Sequence, residues 1–397
     1  MEIMKTENNR KVNMSSPDLT EAEIEAVISV VETRYLSMGP QLQAFENAFC
    51  EQFGFKHAIA VNSGTAGLHL CVRAAGISAG DLVITTPFSF VASTNVLLFE
   101  NAVPVFVDID PVTGNIDTSL AAEAARDLRT GGAVAQRWLP RCGMVDGAPL
   151  KALLPVDVFG QPADYDALQV IADEVGVPII EDSCEALGST YKGRPAGSLG
   201  DYGVFAFYPN KQITTGEGGM IVTNLDKEAD FMMALRNQGR APGDTWLQHT
   251  FLGYNYRLDE MSAAIGAVQM TRRDELLQAR EQVAEWYNAR LANVAGIEIP
   301  HILPETTRMS WFVYVIRLES VEQRDAVAER LKARGVPVRP YFAPIHLQPY
   351  MMERFGFQPG DFPITEDLGA RGLALPFSGK LTEEEVAYVC KTLQDVL

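Results

Sequence analysis

The 397-residue chain is poor in cysteine, in clustered positive charge and in long apolar runs, and each shortage closes off a class of protein. Its five cysteines, Cys50, Cys71, Cys142, Cys184 and Cys390, are scattered, with no C-x-x-C pair among them. An odd, dispersed set supplies neither a disulfide framework nor a cysteine zinc site, so no metal is expected and a reducing cytoplasm fits. Acidic residues outnumber basic ones by 51 to 33, a net charge of −18, and no basic run breaks that excess. A nucleic-acid partner, which needs clustered Lys and Arg against phosphate, is therefore not expected. Small anions stay open, because helix N-termini and single hydroxyls can hold them. The opening "MEIMKTENNRKVNMSSPDLT" has no apolar signal core, and no apolar stretch reaches bilayer-spanning length, so neither export nor a membrane is expected.

What is present is a large apolar content, 47% of residues, enough for two domains sharing an extensive core. Thr20 and Glu23 form a capping box, and Ile24, Val27, Ile28 and Val31 follow at helical spacing, predicting an N-terminal helix with an apolar stripe. "HAIAVNSGTAGLHLCVRAAG" reads as strand, small-residue turn and helix. The runs "DLVITTP", "VPVFVDID", "LLPVDVFG", "VPIIEDS", "YGVFAFY" and "GGMIVTN" are short, β-rich and mostly non-alternating. Buried strands of that kind, separated by helices such as "YDALQVIADEVG", predict a mainly parallel α/β sheet covered on both faces. The Gly- and Pro-dotted segment from Arg126 to Ala152 reads as a loop. Past about residue 250 the pattern changes to long helices, broken near Thr271, with the strand "WFVYVIRL" and a closing helix. The expected organisation is a large α/β domain over 1–250 and a smaller α+β domain over 251–397.

Three features carry chemistry. Ser63, Gly64 and Thr65 lie where a strand meets a helix, so free N–H groups, the helix dipole and a hydroxyl could hold an anion there. Glu181 and Asp182 end the strand "VPIIEDSC", and strand carboxyl ends are where ligands bind in open α/β sheets. Lys211 follows the apolar strand "YGVFAFY" and precedes a glycine-rich turn. Apolar surroundings disfavour a charged amine, and a neutral amine forms Schiff bases with carbonyls. Taken singly, these have plainer readings as a turn, a helix cap and a snorkelling surface lysine. Together they are what pyridoxal 5′-phosphate needs: an amine for its aldehyde, an acid for its ring nitrogen and a helix start for its phosphate.

The same residues sit in blocks that resemble the fold-type I aminotransferases of the DegT/StrS family. The blocks are "NSGTAGLHL", "TTPFSFVAST", "FGQPADYDAL", the stretch from Glu181 to Asn224, "GYNYRLDEMSAAIGAVQ" and "RPYFAPIHLQPYM", in the family's order and over nearly the whole chain. The resemblance implies a mostly parallel, seven-stranded-type sheet and transfer of an amino group from L-glutamate to a nucleotide-linked 3- or 4-keto sugar, as in polysaccharide or amino-sugar biosynthesis. It implies Lys211 as the Schiff-base lysine and Asp182 on the pyridine nitrogen. Ser63, Gly64 and Thr65 would hold the phosphate, and Phe90 would stack on the ring. Asn255 would reach across a homodimer interface to the partner's cofactor, and Tyr341 and His346 would lie on the sugar side.

Two positions depart from the family pattern. Ala206 stands where a phosphate-binding serine is common, and Glu185 where Gln or His usually lies near the ring hydroxyl. The 126–152 segment also looks longer than the family's and reads as surface decoration. Two rival readings are a pyridoxal-dependent sugar dehydratase and a non-catalytic regulator of the same fold. Dehydratase relatives carry histidine at the lysine position, so Lys211 favours transamination. The complete lysine, aspartate and phosphate set, without a basic helix-turn-helix, speaks against the regulator.

Overall fold

The computed structural model describes residues 12–144 and 147–397; the first eleven residues of the polar opening, and Val145 and Asp146 of the expected loop, lie outside the described residues. Seven strands form the central sheet: β1 (His57–Val61), β2 (Leu82–Thr85), β3 (Val103–Phe106), β4 (Leu150–Leu154), β5 (Ile180–Asp182), β6 (Tyr202–Ala206) and β7 (Gly219–Thr223). Their spatial order is β3-β2-β4-β5-β6-β7-β1. The join between β4 and β5 is made by the parallel bridges Leu153–Ile179 and Val156–Asp182. From β3 to β6 all neighbours are parallel, whereas β7 runs antiparallel to both β6 and β1. The sheet is thus mostly parallel, as the strand pattern predicts. Every residue of β2, β3 and β7 is buried, which is why these strands do not alternate: helices cover both faces.

Helices α1 (Glu21–Glu32) and α2 (Pro40–Phe53) precede β1. On one face of the sheet lie α3 (Gly64–Ala74), α4 (Ala92–Phe99) and a helix over Asp226–Arg236, through Leu68, Val96 and Met232. The other face is covered by helices Thr118–Thr130 and Tyr165–Val175 at one end, and by α2 with the helix Glu260–Thr271 at the other. The parallel strands direct their carboxyl ends to one edge, the edge that carries ligands in open α/β sheets. A second sheet, of residues 297–298, 314–318, 372–375 and 339–340 in that order, is wholly antiparallel. Helices Arg273–Leu291, Val321–Ala333 and Glu383–Gln394 pack on it in a separate core. The expected break near Thr271 is seen where Glu260–Thr271 gives way to Arg273–Leu291. Among the described residues, no helix is long and apolar enough to cross a membrane.

The expected N-terminal helix and capping box are present, and one local expectation, the loop over 126–152, is corrected. The apolar stripe of α1 faces outward: Ile24, Ile28 and Val31 are 50%, 52% and 62% exposed, and Glu23 and Val30 are buried instead. The physical reason is the capping carboxylate. Glu23 is bonded by Thr20, Gln269 and Arg272, and these bonds outweigh the cost of its burial and hold its pKa down at about 2. That network rotates the polar edge of the helix inward. The supposed loop is partly helical. Arg126 to Thr130 complete the helix begun at Thr118, Gly132–Gln136 form another short helix, and Leu150 to Ala152 open β4. The paired glycines Gly131 and Gly132, both at positive φ, interrupt the helix at one point only.

Behind β5 lies a buried acid pair. The Ser183 hydroxyl is 2.7 Å from both Asp157 Oδ2 and Glu181 Oε1. One hydroxyl proton cannot serve two carboxylates. Burial raises the Glu181 carboxyl too, but the N–H groups of Gly197, Leu199 and Gly200 and the Ser183 hydroxyl oppose that rise, so of the two it is Glu181 that keeps the negative charge. Asp157 holds the proton: burial, and then the neighbouring Glu181 charge, push its carboxyl well above the usual range. A carboxyl raised on folding gives stability that is complete below its unfolded pKa, about 4, and is lost as pH rises through the folded value. Asp157→Asn, which keeps a donor towards Ser183 without a titrating proton, is expected to gain stability relative to the parent protein as pH rises from 5 to 9. Urea denaturation across that range measures the difference, whose slope is at most about 1.4 kcal/mol per pH unit for one proton.

Candidate active site

At the carboxyl ends of the parallel strands, three loops converge on a cavity of about 520 Å³. The first loop starts α3. Ser63 caps it, its Oγ accepting from the Ala66 N–H at 3.1 Å. The N–H groups of Gly64 and Thr65 follow at the first positions of the helix, where no intrahelical acceptor exists and the dipole is positive. Gly64 is fixed by packing as well: a Cβ there would lie 2.7 Å from Ala206 Cβ and 3.0 Å from Cys184 Sγ. Glycine lets the helix start press against β6.

The second loop follows β5. Adjacent strand residues point to opposite sides, so the two acids part company. Glu181 is turned into the acid pair behind the sheet, and Asp182 alone reaches the cavity. Asp182 Oδ2 accepts from Ser93 Oγ at 2.6 Å and Oδ1 from the Cys184 N–H at 3.2 Å. Ser93 lies on α4 one turn beyond Ser89, whose hydroxyl is 2.8 Å away. Further along the same loop, the buried Glu185 accepts from the Phe159 N–H through Oε2 at 2.9 Å. Burial raises its pKa, opposed by Lys211 and by the Phe159 bond.

The third loop follows β6 and carries Lys211. Its Nζ is 3.4 Å from Glu185 Oε1 and 3.8 Å from the centre of the Phe312 ring, with the side chain 13% exposed. The amine thus stands between a carboxylate and an aromatic face. Phe90 borders the cavity with 63% of its surface exposed and no aromatic partner among the described residues. Tyr341 completes the far wall, its hydroxyl pKa pushed up by burial.

The structure therefore brings together Ser63, Gly64, Thr65, Phe90, Asp182, Glu185, Lys211 and Tyr341. Two sequence-derived candidates stay out of the cavity. Asn255 is exposed on the surface between Tyr254 and Tyr256, whose rings stack 4.9 Å apart and whose hydroxyls bond to Glu100 and His69. His346 is buried elsewhere, its Nε2 2.9 Å from Glu366 Oε1 and its ring against Phe362. Its imidazole packs against Phe357 and Phe362, away from the residues that line the Lys211 cavity. The segment Gln136 to Arg141 lines a separate cavity of about 790 Å³ that shares no lining residue with the first. Sequence reasoning missed Ser93, Tyr208 and Phe312. Ser93 had a signal, its helical spacing from Ser89; Phe312 had none, since only tertiary packing brings it to Lys211.

The donor set fits pyridoxal phosphate. It offers an unpartnered aromatic ring at the cavity edge, free N–H groups at a helix start, a fixed carboxylate and a lysine whose side chain is 13% exposed. A model of the DegT/DnrJ/EryC1/StrS aminotransferase family matches residues 17–394. A GDP-perosamine synthase of Caulobacter vibrioides is 38% identical over 98% of both chains. Among solved structures, a DegT/DnrJ/EryC1/StrS aminotransferase from Brucella abortus superposes with a TM-score of 0.83 at 31% identity, covering 94% of this chain and 95% of its own. PseC of Helicobacter pylori, an aminotransferase in pseudoaminic acid biosynthesis, gives 0.86 at 27% identity, covering 98% and 99%. The chain belongs to the DegT/DnrJ/EryC1/StrS family, a family of sugar aminotransferases that work with pyridoxal phosphate.

The contact at Gly64 supplies a test of the helix start. Gly64→Ala is expected to destabilise the protein by about 1–3 kcal/mol through overpacking against Ala206. Adding Ala206→Gly removes the nearest clashing atom and should restore part of the loss. Thermal denaturation of the single and double variants reads both effects.

Proposed function

We propose that this family member transfers the amino group of L-glutamate to a nucleotide-linked 3- or 4-keto sugar. The observation that carries the proposal is the convergence of the Lys211 amine, the Asp182 carboxylate and the start of α3 on one cavity. Pyridoxal phosphate, when bound, supplies the electron sink and the amino carrier. Lys211 provides the covalent anchor and moves the proton between donor and acceptor carbons. Asp182 holds a proton on the ring nitrogen and is itself aimed by Ser93. Ser63, Gly64 and Thr65 hold the phosphate with N–H groups and hydroxyls, a role in which Ala206 takes no part. Phe90 would cover the ring, Glu185 would hold its hydroxyl side, and Tyr341 would meet the sugar, since all three line the cavity. The 38% identity with a GDP-perosamine synthase makes GDP-linked keto sugars the first acceptors to test.

The second part of the proposal is a homodimer that shares its active sites. Ile24, Ile28, Val31, Tyr35, Leu36 and Met38 leave an apolar surface exposed on α1 and the segment after it. That segment joins the start of the Glu260–Thr271 helix through a Ser37–Asp259 bridge. Trp246, Leu247 and Leu252 expose further apolar area on the loop that leads to Asn255. Apolar surface of this extent is normally covered by a partner. Asn255, exposed on this side, would serve the partner's phosphate.

Two experiments follow. Purified protein is expected to absorb visible light when loaded with pyridoxal phosphate and to aminate a keto nucleotide sugar at the expense of glutamate. Lys211→Ala should lose both properties. Unchanged colour in that variant rules out the lysine assignment, and mass spectrometry showing water loss without nitrogen gain rules out transamination. In the second experiment, Lys211→Ala and Asn255→Ala, each expected to be inactive alone, are unfolded and reassembled together. A shared site predicts recovery of about one quarter of parental activity, because half of the dimers are mixed and each carries one intact site.

A further inference from the structure

Arg280 lies on the helix Arg273–Leu291 where that helix passes from one core to the other. Leu276 belongs to the cluster beneath the large sheet, and Val283, Ala284 and Tyr287 belong to the C-terminal core. The side chain is 4% exposed and has no carboxylate partner among the described residues. Burial brings its pKa down to about 10, so it is still cationic at neutral pH. A buried cation without a counter-ion is costly unless hydrogen bonds satisfy it. Here the acceptors are four backbone carbonyls from two segments. Nη2 donates to Asn210 O at 3.0 Å and Lys211 O at 2.5 Å, and Nη1 to Trp311 O at 3.3 Å and Phe312 O at 3.2 Å. One segment carries the amine and the other carries the ring beneath it. Gln212 makes a parallel tie, its Nε2 donating to Glu185 O at 2.5 Å and Ser310 O at 3.3 Å.

We infer that Arg280 is a positioning residue for Lys211: its guanidinium fixes the lysine-bearing loop against residues 311–312, setting the amine between Phe312 and Glu185. It touches neither cofactor nor substrate and acts only through the backbone it clamps. A planar fork bridges two strands of carbonyls; a lysine ammonium, one compact donor group on a thinner stem, cannot span both. The inference rests on Lys211 being the reactive amine.

The test uses the full-length chain, cofactor-free and loaded, with Arg280→Lys and with Arg280→Met, an apolar replacement that removes the buried charge. Both cofactor-free variants are expected to stay folded and to melt within about 5 °C of the parent. Their capture of pyridoxal phosphate, followed by visible absorbance, is expected to slow about tenfold to a hundredfold, as a misplaced reacting group does. The pH profile of the visible band should shift, and kcat should fall while the KM for the keto sugar stays within about threefold. A merely structural role would move the melting temperature and leave the pH profile alone. Parental capture rate and pH profile in either folded variant overturn the proposal. So does recovery of both variants only as aggregates, which assigns Arg280 to the fold. If the parent chain itself fails to capture the cofactor at Lys211, the underlying reading of the lysine fails instead.

Discussion

The candidate active site is organised around one lysine amine held at a fixed point inside a largely apolar cavity. A lysine side chain has four rotatable bonds and loses much conformational freedom when it is fixed. Lys211 is ordered by two different attractions, a carboxylate oxygen at 3.4 Å and an aromatic face at 3.8 Å. The carboxylate is itself immobilised by the Phe159 N–H, and the ring by burial among Val313, Val315 and Ala374. The first attraction falls off slowly with distance and the second requires the cation above the ring. Together they specify both range and direction, which neither does alone.

The acids around β5 show how neighbouring residues of one chemical type acquire different tasks. Glu181, Asp182 and Glu185 lie within five positions and all are buried. Glu181 faces three backbone donors and a hydroxyl, a setting that keeps a charge where no ligand can reach it. Asp182 has one hydroxyl and one N–H, which fix its direction and leave acceptor capacity towards the cavity. Glu185 has the cation. The strand pleat separates the first two, and the turn after the strand brings the third round to the lysine. Charge is thus distributed by backbone geometry.

Much of this was legible in the sequence because the signals are local. Non-alternating strands predicted a covered parallel sheet, and a strand, a small-residue turn and a helix predicted the anion-ready start of α3. The strand-end acid and the apolar-flanked lysine were visible for the same reason. What was not legible depends on distant partners. Phe312 and Arg280 have no local pattern that ties them to Lys211. His346 sits in a family-like block, yet its partners are Glu366 and Phe362, which only the folded chain assembles. The stripe on α1 was legible as a stripe, but nothing local told which way it faces. The capping carboxylate of Glu23, bonded to Arg272 and Gln269, decided the orientation instead.

The position of the site between two cores gives it a particular sensitivity. The phosphate-type donors, Asp182 and Lys211 come from the large sheet, whereas Phe312 and Tyr341 come from chain segments that join the C-terminal sheet. Packed cores resist deformation, so a change inside either one is transmitted as a shift of the whole body. Beside the aromatic contacts of Phe159 with Tyr341 and Phe342, the lysine loop is tied to residues 310–312 by hydrogen bonds to backbone carbonyls. Apolar packing would tolerate sliding at that junction, because it is insensitive to direction. Hydrogen bonds weaken steeply once their angles are lost. A junction built from Arg280 and Gln212 therefore holds registration between the cores more strictly than a hydrophobic seam of the same area, at the cost of burying polar groups that must all remain satisfied.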